Sequence, residues 1–421
     1  MPTAWPDPNL LLVFGVLLAV GVLGGLLSAR VRWLPTITGF MAVGALIGPS
    51  GLGLLSPQAL AGSRVLVEVA LGLILFKLGA ALHPVKALRD RRLVTTSLAE
   101  SLGTFVVIFG LLLWIEAPAI VAVLVGAIAV SSSPAVLIHV AEELHAEGPV
   151  LEHAESLVAA NNVLSFILFS LALPFALLGE RFGFGGALAV PAYQLVGAVL
   201  VALLVAWLVT RVARLTRLDE EHFRFALVVG AVMLALGLAQ AFKVSTLFAG
   251  LALGIACRWL QGRSRLTRVE FGGGGDVFFI ILFVSAGANL HLQEVAQYAP
   301  LALAFVGARV LVKVGAVYGC GRAFGGTTRT ALAGGLLLVP MAGLAIGLVH
   351  STSALLPELS GRIAALVLAS VAIFETIGPP IAAFALRLAG EVGAAAREET
   401  SAALSPRVAP TAGKNADGAG P

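Results

Sequence analysis

The sequence predicts an all-α membrane protein of about thirteen transmembrane helices, built as inverted repeats with two discontinuous helices. Three observations predict it. Apolar residues make up 59% of the chain and charged residues only 12%, with a mean hydropathy of +0.99, which excludes an ordinary soluble domain. Two apolar segments break at a proline in mid-span, at Ser131-Ser132-Ser133-Pro134 and at Val339-Pro340-Met341-Ala342-Gly343. A weak internal similarity also recurs at an offset of about 208 residues and brings the two breaks into register.

Taken in order, the spans fall near 9–29, 34–55, 65–82, 94–115, 119–141, 156–178, 187–210, 223–241, 244–261, 276–291, 298–321, 330–350 and 363–386. Each approaches or exceeds the roughly 17–25 residues a tilted helix needs; 276–291 is short. The first lacks a basic leader and is too long for a cleavable signal, and its Gly21 and Gly25 allow close helix packing. The run Gly272–Gly275 before the tenth span has no Lys-Ser/Thr after it, so it reads as a hinge and not a phosphate loop. After Glu391 the chain turns to Ala, Gly, Pro, Ser and Thr. The reading is a transmembrane domain over 1–391 and a disordered cytoplasmic tail over 392–421.

Basic residues set the orientation. Arg30, Arg32, Lys86, Arg89, Arg91, Arg92, Arg211, Arg214, Arg217, Arg224, Arg258, Arg263, Arg265, Arg268, Arg322 and Arg329 fall in alternate loops. The opposite loops hold Arg64, Arg181, Lys243 and Arg362. By the positive-inside rule the N-terminus lies outside and the C-terminus in the cytoplasm, which requires an odd number of spans. Topology explains these charges, so nucleic-acid binding need not be invoked. Cys257 and Cys320 have no CxxC spacing, and the seven histidines show no ligand spacing, so neither metal nor cofactor is expected. Nothing forms a nucleophile–base set, which argues against an enzyme.

The repeat pairs Thr38-Gly39-Phe40 with Thr246-Leu247-Phe248, and Gly79-Ala80-Ala81-Leu82-His83 with Gly287-Ala288-Asn289-Leu290-His291. At the same offset Ser132 meets Pro340. Seven spans separate the partners, so the repeats insert with opposite orientation. A broken helix in lipid needs protein or a polar cavity to satisfy its freed backbone groups. Paired breaks in inverted repeats point to the binding site of a secondary transporter.

Several residues are candidates at that site. Ser131, Ser132 and Ser133, beside Pro134, offer hydroxyl oxygens to a partly dehydrated cation, or they cap the kink. Lys77, Arg309 and Lys313 are basic groups inside spans, where an ionisable residue is functional by default. Lys77 is near an end and can snorkel. Arg309 and Lys313 are four apart on one helix face; Lys313 is the candidate for proton exchange and Arg309 the fixed counter-charge. Glu375, ahead of Gly378-Pro379-Pro380, is deep enough to need a partner such as Arg309 or Lys313. Glu68 and Glu155 lie nearer helix ends, where a carboxylate needs no special role, and Glu100 fits either reading. Asn161-Asn162 are adjacent mid-span amides that must find partners; they either coordinate a cation or glue helices.

Gly39-Phe40 through Gly48-Pro49-Ser50-Gly51-Leu52-Gly53-Leu54-Leu55 resembles the second helix of the monovalent cation:proton antiporters. The branch is that of bacterial sodium/proton antiporters and potassium-efflux systems. Ser133-Pro134-Ala135-Val136, Phe283-Val284-Ser285-Ala286-Gly287 and the stretch Glu375 to Glu391 fit the same pattern, over nearly all of 10–391. The resemblance implies a dimerising domain and a core domain, two crossed broken helices around Ser133 and Pro340, a homodimer, and a place in the bacterial inner membrane. It implies a sodium or potassium ion and a proton as the exchanged species. The family's paired acidic motif falls on Asn161-Asn162, with Asn162 where the carboxylate belongs, and the buried basic residue matches Lys313. With that carboxylate absent, three readings stand. Glu100, Glu155 or Glu375 takes the proton; Lys313 exchanges it; or the chain carries another solute, conducts uncoupled, or senses without transport.

Overall fold

The computed structural model describes residues 10–31, 35–81, 89–177, 184–216, 221–260, 272–289, 292–355 and 357–393. Among them lie fifteen helices: α1 (Leu10–Ala29), α2 (Thr36–Ile47), α3 (Pro57–Ala81), α4 (Arg91–Trp114), α5 (Ala119–Val130), α6 (Pro134–Glu143), α7 (Pro149–Leu177), α8 (Phe184–Thr216), α9 (Glu221–Ala241), α10 (Thr246–Leu260), α11 (Gly272–Ala288), α12 (Leu292–Ala323), α13 (Thr328–Leu337), α14 (Gly343–Leu355) and α15 (Pro357–Ala389). Helices α5 with α6, and α13 with α14, are the halves of the two broken segments, so thirteen spans are present. Among the described residues, eight segments are long and apolar enough to cross a membrane alone.

Some expectations change. Helices α3, α7, α12 and α15 start at Pro57, Pro149, Leu292 and Pro357, about two turns before the expected apolar runs, because backbone bonding continues past the lipid-facing stretch. Gly272–Gly275 is the first turn of α11 and not a hinge; the cost of about 1 kcal/mol per helical glycine is met by the packing of α11 on α2 and α3. Leu82-His83 and Leu290-His291 of the repeat lie outside the described residues. So do Arg32, Lys86, Arg181, Arg217, Arg263, Arg265, Arg268 and the tail from 394 onward.

Helix contacts divide the chain into two bundles. Helices α4, α5–α6, α7, α12, α13–α14 and α15 pack on one another, as do α1, α2, α3, α8, α9, α10 and α11. The first bundle has an apolar core of its own around Leu124, Val125, Phe305, Val339, Met341 and Phe374. The repeat is visible in the helix starts, Pro149 of α7 matching Pro357 of α15, with α8 as the unpaired link. Its glycines have a steric reason. A Cβ on Gly79 of α3 would overlap the Leu251 carbonyl of α10, and one on Gly287 of α11 would overlap the Met41 carbonyl of α2. The two halves thus make the same close helix crossing twice.

Glu391, just past α15, closes the six-helix bundle. Its carboxylate accepts from Val150 N–H at 2.7 Å and Leu151 N–H at 2.9 Å, the open N-terminus of α7. A carboxylate there meets orphan donors and the helix dipole together.

Candidate functional site

Local sequence ends α5 where it does. Pro134 has no N–H, and its ring excludes the carbonyl four residues back, that of Val130. Ser133 then caps α6, accepting from Val136 N–H at 3.4 Å with Pro134 in the first turn. In the second segment Pro340 lies between the half-helices, with α13 ending at Leu337 and α14 starting at Gly343. The two breaks meet directly: Ser133 N–H donates to the Pro340 carbonyl at 2.8 Å. Gly378 of α15 lies against the Pro340 ring.

All four carbonyls at the end of α5 find donors, which a helix end buried from water requires. Ser165 Oγ donates to Ala127 O at 2.7 Å and Ser131 Oγ to Ile128 O at 2.8 Å. Arg309 Nε donates to Ala129 O at 2.8 Å, and Lys313 Nζ to Val130 O at 2.7 Å. Arg309 also bridges to the other break, with Nη1 on Val339 O at 2.6 Å and Nη2 on Ser131 O at 2.5 Å. Its guanidinium stands 4.7 Å from the Phe374 ring centre, a cation–π distance. Both basic groups are fully buried. The negative end of α5 therefore meets two cations, and one of them, Arg309, also holds the Val339 carbonyl just past α13.

Lys313 has one further partner. Its Nζ lies 2.7 Å from Glu100 Oε2 of α4, and both side chains are 0% exposed. Ser101 Oγ donates to the other Glu100 oxygen at 3.0 Å. Among the expected acids, then, Glu100 is the one brought to the break. Glu68 instead accepts from Gln240 at 2.6 Å, and Glu155 is half-buried near the start of α7. Glu375 is buried, beside the crossing through Phe374 and Gly378, yet the expected pairing with Arg309 or Lys313 is absent. Those cations are already engaged by carbonyls and by Glu100.

Asn161 and Asn162 reach the same break from α7. Ser132 N–H donates to Asn162 Oδ1 at 3.2 Å, and Asn161 Nδ2 donates to Ser132 Oγ at 3.1 Å. Ser132 Oγ spends its own proton on Leu338 O at 2.7 Å, so both amide orientations are fixed by the network. That leaves Asn161 Oδ1 and Asn162 Nδ2 buried without partners, one acceptor and one donor. Asn162 also lines a narrow apolar cleft between the bundles, with Leu75, Phe166, Phe248 and Leu344 among its walls and room for about one water.

The structure thus gathers Ser132, Ser133, Pro134, Asn161, Asn162, Arg309, Lys313 and Pro340 at one crossing, with Glu375 at its edge. The sequence did carry a signal for Glu100. Ser97, Glu100, Ser101 and Thr104 form a polar stripe at helical spacing in an apolar span, and all four are buried.

A family model described as "Sodium/hydrogen exchanger, transmembrane" matches residues 11–387. Two solved structures of the sodium proton antiporter MjNhaP1 from Methanocaldococcus jannaschii are similar in fold. One, at pH 8, is 19% identical with a TM-score of 0.63, covering 93% of this chain and 98% of that one. The other, an electron-microscopy map, is 18% identical with a TM-score of 0.67, covering 94% and 98%. No curated protein matches.

Proposed function

We propose, since this chain belongs to the sodium/hydrogen exchanger family, that it exchanges a monovalent cation, Na+ or K+, for a proton through an altered ion site. One observation carries the reading: the Lys313 ammonium is held at 2.7 Å by Glu100 and at 2.7 Å by the Val130 carbonyl, in full burial. A proton leaving Lys313 frees a carboxylate and a helix-end carbonyl for a cation, so the two species compete for the same oxygens. One positive charge replaces another, and the exchange is electroneutral, one cation for one proton. Arg309 remains charged and holds the two breaks together. The amides support Ser132, and Asn162 lines the cleft; they carry no proton.

The six-helix bundle is proposed to move as a body against the other, carrying the site between faces. The family resemblance supports a bacterial inner membrane, and the distribution of Lys and Arg supports an N-terminus outside and a C-terminus in the cytoplasm. It works as a homodimer through the seven-helix bundle, whose α1 and α8 turn Leu26, Leu27, Leu204 and Trp207 outward.

Reconstituted vesicles holding a pH dye test this. A sodium, potassium or lithium gradient is expected to drive a pH change that an imposed membrane potential leaves unaltered. Silence of the dye under all three gradients overturns the proposal and favours another solute or an uncoupled role.

A further inference from the structure

The half-helix α6 runs from the ion site to a second group of polar contacts that the exchange chemistry leaves unused. Its N-terminal cap is Ser133 at the crossing; ten residues later, about 15 Å along a helix, it ends at Glu142 and Glu143. Both reach across the bundle boundary. Glu143 accepts from Thr36 N–H at 3.1 and 2.9 Å through its two oxygens, and from Thr36 Oγ1 at 2.8 Å. It thereby occupies the N-terminus of α2, where a carboxylate is favoured by orphan donors and dipole. Glu142 forms an ion pair with Lys77 of α3. One turn back, the His139 Nε2 lies 3.3 Å from Thr36 Oγ1. Its ring packs on Phe279 with centroids 4.8 Å apart and on Phe40 at 6.2 Å, both from the other bundle.

These ties lie on one side. The start of α2 follows Arg30 and the end of α3 precedes Arg89, Arg91 and Arg92, so the contacts sit at the arginine-rich face. The Asn162 cleft lies deeper between the bundles, its walls running from Leu247 and Phe248 at the start of α10 to Leu75, two residues before Lys77 on α3. At the arginine-rich face the boundary is held by polar ties, and at the cleft it is crossed by apolar packing, with Phe166 stacked on Phe248 at 5.5 Å between centroids.

We propose that Glu142 and Glu143, with Lys77, Thr36 and His139, form a latch holding the arginine-rich face shut against access to the site from that side. Because α6 is one short rigid rod, displacement at the crossing is transmitted to the latch, and release of the latch frees the crossing to move. The inference rests on the proposed bundle motion but not on cation–proton coupling.

The test is thiol labelling in full-length protein with Cys257 and Cys320 replaced by alanine. The reporter is Ala135→Cys, which is buried and shares the helix face of His139 one turn nearer the crossing. A membrane-impermeant maleimide is supplied at the arginine-rich face in inside-out vesicles. Glu143→Gln is expected to speed labelling about tenfold, the loss of one charge-assisted tie. An unchanged rate overturns the latch. Lys77→Glu with Glu142→Lys covers the case in which Glu143→Gln does not assemble: each single change should label fast and the swap slowly. A swap as fast as the singles also overturns it. Labelling is read without any ion gradient, so a silent pH dye with latch-dependent labelling would refute exchange and leave the latch standing.

Discussion

Lys313→Gln is expected to abolish cation-driven proton movement in vesicles, and Glu100→Gln to do the same. Either change alone strands a buried partner: removing one member of a buried ion pair costs about 3–5 kcal/mol. The clean comparison is the double variant Glu100→Gln with Lys313→Gln. Two amides keep a hydrogen bond across α4 and α12 without any net charge, so the fold should survive, as thermal melting in detergent can confirm. Exchange should not, because neither a titrating amine nor a carboxylate remains. A double variant that still moves protons in response to a cation gradient would place the proton on another group, and Glu375 is then the group to substitute next.

Asn162→Asp is expected to tighten cation binding by about tenfold or more, the effect of one added negative charge at short range in a partly buried site. The new carboxylate keeps its bond from Ser132 N–H, since the oxygen in that position is retained. It also leaves no unpaired Nδ2 facing the cleft. The added charge has a second consequence: the loaded and protonated states no longer need to carry equal charge, so exchange should become sensitive to membrane potential. A cation titration of the vesicle signal, with and without an imposed potential, checks both. Unaltered affinity would mean that the ion does not pass near the amide pair.

Much of this architecture was legible in the sequence because membrane helices announce themselves. Apolar length marks a span, and proline with serine marks a break, since lipid offers the backbone no alternative partner. The offset pairing of Gly79 with Gly287 was legible for a steric reason, now seen as two equivalent crossings against Leu251 and Met41. The partner of Lys313 was not legible. The stripe of Ser97, Glu100, Ser101 and Thr104 marks Glu100 as an inward-facing polar position, but Glu100 lies on α4 and Lys313 on α12, and no local pattern pairs the two in preference to Glu155 or Glu375. Three-dimensional packing makes that choice: Glu375 sits beside the crossing, but the cations there are already taken up. From the sequence Lys77 is a side chain able to snorkel, and its tie to Glu142 depends on α6 running alongside α3. Glu391 matched the family pattern without a reason; its bonds to the start of α7 supply one.

Competition between a cation and the proton of Lys313 for the Glu100 and Val130 oxygens is open to a direct measurement. Purified protein in weakly buffered detergent solution is titrated with the cation that drives vesicle exchange, and released protons are followed with a pH indicator. One proton per bound cation is predicted for the parent and none for Lys313→Gln. Proton release of the same size from Lys313→Gln would contradict the account.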